Sequence, residues 1–263
     1  MDNFARAIRG RVIQPGQPEY EGARRVYNAA IDCRPAVIVQ CADAADVIHC
    51  VNYAREQRLA PAIRGGGHSA PGFGTCDGGI VIDLSRLRGI RVDPDRRTAQ
   101  VEGGCTWGDV DNATHAFGLG TPGGVISTTG VGGLTTGGGF GYLSRHYGLA
   151  CDNLLSANVV TADGQHRTTD ATREADLFWA IRGGGGNFGI VTSFEFRLHP
   201  VDDVYAGPVL YPLEQAAEVL RFFRDFMRTA PRELSAFFAF MMVPPPPRCC
   251  GFSATSCEPP RES

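Results

Sequence analysis

The chain has 263 residues, room for one large domain or for one domain and part of a second, and its 43% hydrophobic and 20% charged residues are the balance of an ordinary soluble globular protein. A net charge of −3 gives no electrostatic case for nucleic acid. All 25 basic residues are arginine, which excludes a Schiff-base lysine and the phosphate-binding lysine of a P-loop. No run approaches the ~18 apolar residues of a membrane span, MDNFARAIRG has no apolar signal core, and the nine cysteines form neither CxxC nor zinc spacing. The expectation is a cytoplasmic protein with free thiols, no membrane association and no metal site.

In chain order, Ala36–Gln40 reads as a short strand. Asp43 then caps a helix through about Arg58, with Val47, Val51 and Ala54 on one face. Ala62–Arg64 is a strand that runs into RGGGHSAPG, and Gly79–Leu84 is another. Ile90–Val92 and Thr98–Glu102, joined by DPDRR, form a hairpin. Thr106 caps a helix to Phe117. Residues 121–148, TPGGVISTTGVGGLTTGGGFGYLSRHYG, are too rich in Gly, Ser and Thr for regular structure, and their scattered apolar residues point to an ordered functional loop. Leu154–Ala162 is a strand, Glu174–Ile181 a helix, and Ile190–Leu198 an alternating strand after RGGGGNFGIV.

The texture changes after Pro200, where a domain boundary is expected. Val209–Pro212 reads as a strand, and Leu213–Met227 as an amphipathic helix with Ala217, Leu220 and Phe223 near one face. Phe237–Val243 reads as a further strand. After four prolines, residues 248–263 lack periodicity and carry three cysteines. They read as an irregular tail, or as a frame-shifted end to a protein that naturally continues.

Glycine loops expose successive backbone N–H groups and bind anions, phosphates above all. Three such loops fit a dinucleotide. Gly184-x-Gly186-x-x-Gly189 and Gly118-x-Gly120-x-x-Gly123 match the Rossmann letters, but that fingerprint needs a strand before it and a helix after it. At the first a helix precedes and a strand follows, and TPGG cannot open a helix at the second. His68, on the first loop, has three open roles: a structural histidine, a metal ligand, or a nucleophile toward a bound cofactor. The other histidines show no ligand spacing to support the second.

RGGGHSAPGFGTCDGGIVIDLSRL, GVISTTGVGGLTTGGGFGYLSRHYGLACDNLLSANVVTADG and DLFWAIRGGGGNFGIVTSFEF, in this order over roughly residues 30–200, resemble the FAD-linked oxidases with a p-cresol methylhydroxylase-type FAD-binding domain, nearest the berberine bridge enzyme-like oxidoreductases. The resemblance implies an α+β fold: two α+β subdomains (residues 1–200) holding FAD, then a truncated α+β substrate domain (201–247) and the irregular tail (248–263). Arg64, Gly65, Gly66, Gly67, His68 and Ser69 would form the pyrophosphate loop, with Gly72 beyond, and His68 would bond the 8α carbon of the flavin. Ile126 stands where some members carry a second, cysteinyl link, so a single bond is expected, and Cys105 is taken as structural. Thr128, Gly130, Gly132, Gly133, Gly137, Gly138, Gly139, Gly141 and Tyr142 would line the flavin. Asp152 and Asn153, then Gly189, Ile190 and Val191, would continue the site.

The implied activity is oxidation of a small organic substrate (sugar, alcohol or alkaloid) with O2 as acceptor. The family's catalytic base belongs to a C-terminal part this chain does not match, so none is named. Two other readings stand beside it: a remnant that binds FAD at most, and a flavin reductase in which His68 only hydrogen-bonds.

Overall fold

The computed structural model describes residues 2–201, 204–242 and 248–257. The first layer is a sheet of four strands, with α1 (Asp2–Ala7) leading into β1 (Arg11–Ile13) and α2 (Tyr20–Ala23) into β2 (Val37–Gln40). Then come α3 (Ala44–Gln57), β3 (Pro61–Arg64) and β4 (Ile80–Asp83), in sheet order β1-β2-β4-β3. β2, β4 and β3 are parallel and β1 is antiparallel at the edge. Both faces are covered, so β2 and β4 are buried almost throughout and read as continuous apolar runs. Val37, Val39, Ile80 and Ile82 pack on Val47, Cys50 and Ala54 of α3, while Ile38 and Val81 pack with Ile13 and Tyr20 on the opposite face. Asp43 caps α3 as expected, accepting from the Asp46 N–H at 3.0 Å. Asp46 is itself fully buried. Its carboxylate accepts the N–H groups of Arg9, Gly10 and Ala42, each at 2.8 Å, which fastens the N-terminal segment to this helix.

The second layer is an antiparallel sheet of order β5-β6-β10-β8-β9: β5 (Ile90–Asp93), β6 (Thr98–Glu102), and after α4 (Trp107–His115), β7 (Leu119–Gly120), α5 (Val131–Thr136) and α6 (Ser144–Tyr147), β8 (Leu154–Val160) and β9 (His166–Asp170). α7 (Ala175–Ile181) then leads into β10 (Ile190–Arg197). Trp107, Val110, Val131, Phe178 and Ile181 bury against Phe194 and Phe196 of β10. Asp109 closes the start of α4 by accepting the Thr106 N–H and Oγ–H, both at 2.8 Å. The prediction of an irregular loop over residues 121–148 is corrected at α5 and α6. VGGLTT has poor intrinsic helix propensity, but Val131 and Thr135 are fully buried and packing overrides propensity.

β11 (His199–Pro200) pairs with β7, and a third sheet follows, formed by β12 (Val204–Pro212), β13 (Leu234–Met242) and β14 (Arg248–Cys257), with α8 (Ala216–Phe226) between β12 and β13. Its order is β12-β14-β13, all antiparallel. The irregular tail expected from Arg248 is therefore a central strand as far as Cys257. Its small and polar residues carry no apolar alternation, yet the backbone finds partners on both sides. Residues 258–263 of that expectation, the four prolines and Val243 lie outside the described residues. The expected face of α8 also shifts: Val219 is the buried residue and Phe223 packs on Phe238, whereas Ala217 and Leu220 are exposed and Phe222 stacks on Phe226 at the surface.

Candidate cofactor site

The glycine loops meet one another before they meet anything else. β3 releases the loop 65–72, β6 ends in the turn Gly103–Gly104, and residues 127–133 lead into α5. A Cβ at Gly66 would stand 2.4 Å from the Gly130 N, and one at Gly130 would stand 2.3 Å from the Gly66 N, so the two loops lie backbone to backbone. Gly65 and Gly132 approach the Gly103 carbonyl in the same way, at 3.2 and 3.3 Å, and Gly103 donates its N–H to the Thr192 carbonyl of β10 at 2.8 Å. Four segments thus converge through glycines because no side chain fits between them. Sequence reasoning singled out neither Gly103 nor Gly104, although a glycine pair closing a strand is a readable signal.

This junction leaves donors over. Among the described residues, the N–H groups of Gly65, Gly66, Gly67, His68 and Ser69 find no acceptor. Around Gly133 a Cβ would meet nothing within 4 Å, so this side of α5 faces open space. Free N–H groups on a run of small residues suit the oxygens of a pyrophosphate, and an open glycine face of a helix suits a flat ring system. The cradle therefore fits a dinucleotide such as FAD.

His68 lies within this run of donors, one residue before its end. Its Nε2 lies 2.9 Å from the Thr128 Oγ1, and its imidazole stacks on Tyr27 at 4.0 Å between centroids and 17° between planes. With the hydroxyl accepting, Nε2 carries the proton and Nδ1 keeps the lone pair. Ile126 is 52% exposed and supplies no thiol. Cys105 is fully buried, and burial pushes its thiol up to about 12, which makes it a packing residue.

Other expected site residues are spent within the protein. Arg64 does not present its guanidinium to the loop: Nη2 donates to the Asp83 Oδ2 at 2.7 Å, with the two side chains 8% and 3% exposed. The β3–β4 register sets these residues side by side. Arg64 is an anchor under the loop, and Arg64→Met is expected to cost about 3–5 kcal/mol by stranding the Asp83 carboxylate. Urea denaturation measures this, with Arg64→Met/Asp83→Leu expected to recover a large part of it. The Ser69 hydroxyl accepts the Phe73 N–H at 3.1 Å, and Gly72, at φ +86°, closes that turn against Ile31. Gly137 ends α5. Gly138 and Gly139 accept the N–H groups of Cys151 and Ala150 through their carbonyls, and Gly141 abuts the Gly123 carbonyl. Tyr142 packs edge-on to Phe237 of the third sheet. Gly189 (φ +145°) opens β10, whose Ile190 and Val191 are core residues.

Asp152 accepts the Leu149 N–H, at 2.9 Å. The Asn153 amide is buried, donates to the carbonyls of Tyr147 and Leu149 at 3.0 and 2.9 Å, and lies 2.7 Å from the His199 Nε2 through its Oδ1, so it braces the α6–β11 joint. Burial, with Arg197 and His146 nearby, pushes the His199 pKa below its usual 6.5. A histidine depressed on folding contributes stability above its unfolded pKa and loses it as pH falls. Denaturation midpoints should therefore fall as the pH drops below about 6.5, and less steeply in His199→Gln.

Elsewhere, a groove of about 410 Å³ lies over Thr161, Asp163, Arg167 and Glu174. Arg167 pairs there with both Asp163 and Glu174, at 3.1 and 3.0 Å, so its charges satisfy one another. Among the described residues no helix is long and apolar enough to cross a membrane, and no group of three or more His, Cys, Asp or Glu is placed to hold a metal ion.

Residues 35–170 match the FAD binding domain family. The chain is 41% identical over 240 residues to an FAD-linked oxidoreductase of Dictyostelium discoideum, covering 89% of this chain and 52% of that protein. Among solved structures, 6-hydroxy-D-nicotine oxidase of Arthrobacter nicotinovorans is similar with a TM-score of 0.89 and 32% identity, over 95% of this chain and 56% of that one. The BBE-like 1 protein of Physcomitrella patens gives 0.90 and 31%, over 97% of this chain and 55% of that one. The chain spans about half the length of the curated relatives it matches. Loops that join through glycines, a run of free N–H groups and these likenesses lead to one assignment: the chain belongs to the FAD binding domain family and has the p-cresol methylhydroxylase-type fold of FAD-linked oxidoreductases.

Proposed function

We propose that this chain is the flavin-holding part of an oxidoreductase that oxidises a small organic substrate of the sugar, alcohol or alkaloid type with O2 as acceptor. Residues 1–200 would hold the cofactor, and the third sheet (β12, β13 and β14) with α8 would begin the substrate unit. FAD would be carried covalently on His68, with no cysteinyl link: a bond from the imidazole to the 8α carbon would replace one C–H bond there, two protons would leave, and the two electrons released would pass through the flavin to O2, the same acceptor as in turnover. The observation that carries this reading is the His68–Thr128 contact within the free N–H run, which holds Nε2 and leaves Nδ1 for the cofactor. When bound, FAD supplies the two-electron acceptor, taking a hydride equivalent from the substrate and returning the electrons to O2. The chain's own part is to bind the pyrophosphate on the 65–69 donors, to seat the ring system beside the open face of α5, and to fix the imidazole.

A second reading is favoured by apolar surface on the third sheet and α8: Tyr205 is 88% exposed, Phe240 65% and Phe222 56%. In that reading the chain binds FAD and turns nothing over. The FAD-loaded protein, held without oxygen, is mixed with a panel of sugars, alcohols and cyclic amines. Bleaching of the visible flavin band by one class, with recovery on admitting air, supports the oxidoreductase. A band that no member bleaches in a fully loaded protein supports the second reading.

A further inference from the structure

We infer that Tyr27 is a positioning residue for His68: a strap of residues 25–31 lays its ring on the imidazole, so that plane and in-plane direction are both set before the cofactor arrives. This rests on the reading of His68 as the flavin-bearing residue.

The strap runs along the whole first glycine loop. The Arg25 carbonyl accepts from the Arg64 Nη1 at 3.4 Å, the Tyr27 N–H donates to the Gly67 carbonyl at 3.1 Å, and the Asn28 Nδ2 donates to the Ala70 carbonyl at 2.8 Å. Ile31 then fills the space beside Gly72. These contacts bring the Tyr27 ring over His68, although 69% of Tyr27 is exposed. A tyrosine with a packing role would turn its ring into the core, and this one spends a face on a half-buried imidazole instead. Tyr27 also lies outside the matched span 35–170 and outside all three glycine motifs.

An imidazole turns about two bonds, χ1 and χ2. Stacking on Tyr27 restricts the tilt of the ring plane, and the Thr128 contact at Nε2 restricts the direction within that plane. With both in place Nδ1 has one direction. Fixing a reacting group in this way raises its rate without adding any contact to the cofactor. Thr128 alone leaves the plane free to swing about the Nε2–Oγ1 line.

The test uses the full chain, prepared flavin-free, mixed with FAD and sampled over time by acid precipitation, which separates protein-bound from released flavin. Tyr27→Leu keeps apolar bulk and loses the stack. It should retain FAD binding and slow the appearance of acid-stable flavin about three- to tenfold, the rate equivalent of a ring pair. Tyr27→Phe and Tyr27→Trp keep the stack and should react as the parent does. A second readout needs no flavin: the His68 ring-proton NMR signals should carry a ring-current shift in the parent and in Tyr27→Phe, and lose it in Tyr27→Leu. Attachment by Tyr27→Leu at the parental rate, or His68 signals that do not move, overturns the inference while His68 keeps its role. A parent that never forms acid-stable flavin overturns the His68 reading instead, and the NMR comparison still decides whether Tyr27 orients the ring.

Discussion

His68→Ala protein, purified and precipitated with acid, is expected to leave all its flavin in the supernatant, a complete loss of any pellet-bound fraction. Within the donor run 65–69 His68 carries the imidazole, and the neighbouring Ser69 hydroxyl is engaged by the Phe73 N–H. Ile126 offers no sulfur, and Cys105 is sealed in the core as a thiol. His68 is half-buried and its side-chain partners are Thr128 and Tyr27, so truncation removes little packing. The melting temperature of flavin-free His68→Ala should stay close to that of the parent, which separates a chemical loss from a folding one.

Gly66→Ala and Gly133→Ala are expected to fail in opposite ways. At Gly66 the new Cβ lies 2.4 Å from one backbone atom of Gly130 and 2.7 Å from another, and neither can swing aside as a side chain would. The loops must separate, at a cost of about 1–3 kcal/mol or more, and FAD affinity falls with them. Gly130→Ala attacks the same contact from the other side, so the double variant should cost much less than the sum. Gly133 sits within α5 with open space where a Cβ would go. There alanine should stabilise the flavin-free protein by up to about 1 kcal/mol through helix propensity, while weakening FAD binding if the new methyl stands on the face proposed for the cofactor. Thermal melts of flavin-free protein and FAD titrations by fluorescence quenching check both.

Much of the scaffold was legible because local physics and packing agree. The cap at Asp43, the DPDRR hairpin, the α7–glycine–β10 order that rejects a Rossmann reading, and the apolar runs of β2 and β4 all stand in the structure where the residues point. Misses fell where packing overrides composition. VGGLTT becomes a helix because its buried face is held by the core, and RCCGFSATSC becomes a central strand because two neighbours supply its ladder. The short N-terminal elements α1, β1 and α2 went unread, since none is long enough to show a period.

Within the site, the glycine loops and His68 were visible as types, but their partners were not. Arg64 finds Asp83 across a parallel register, Tyr27 finds His68 through a strap, and Asn153 turns to His199. Residues far apart in the chain leave no spacing to count. A polar side chain near a ligand loop reads the same whether it faces the ligand or braces the loop.

The most direct measurement is the visible spectrum of the purified, FAD-incubated protein before and after acid precipitation. Flavin absorbance that stays with the washed pellet is the result predicted for FAD bonded to His68. Flavin found wholly in the supernatant would contradict the covalent role while leaving a cofactor-binding protein. A chain that takes up no flavin at all would contradict the account as a whole.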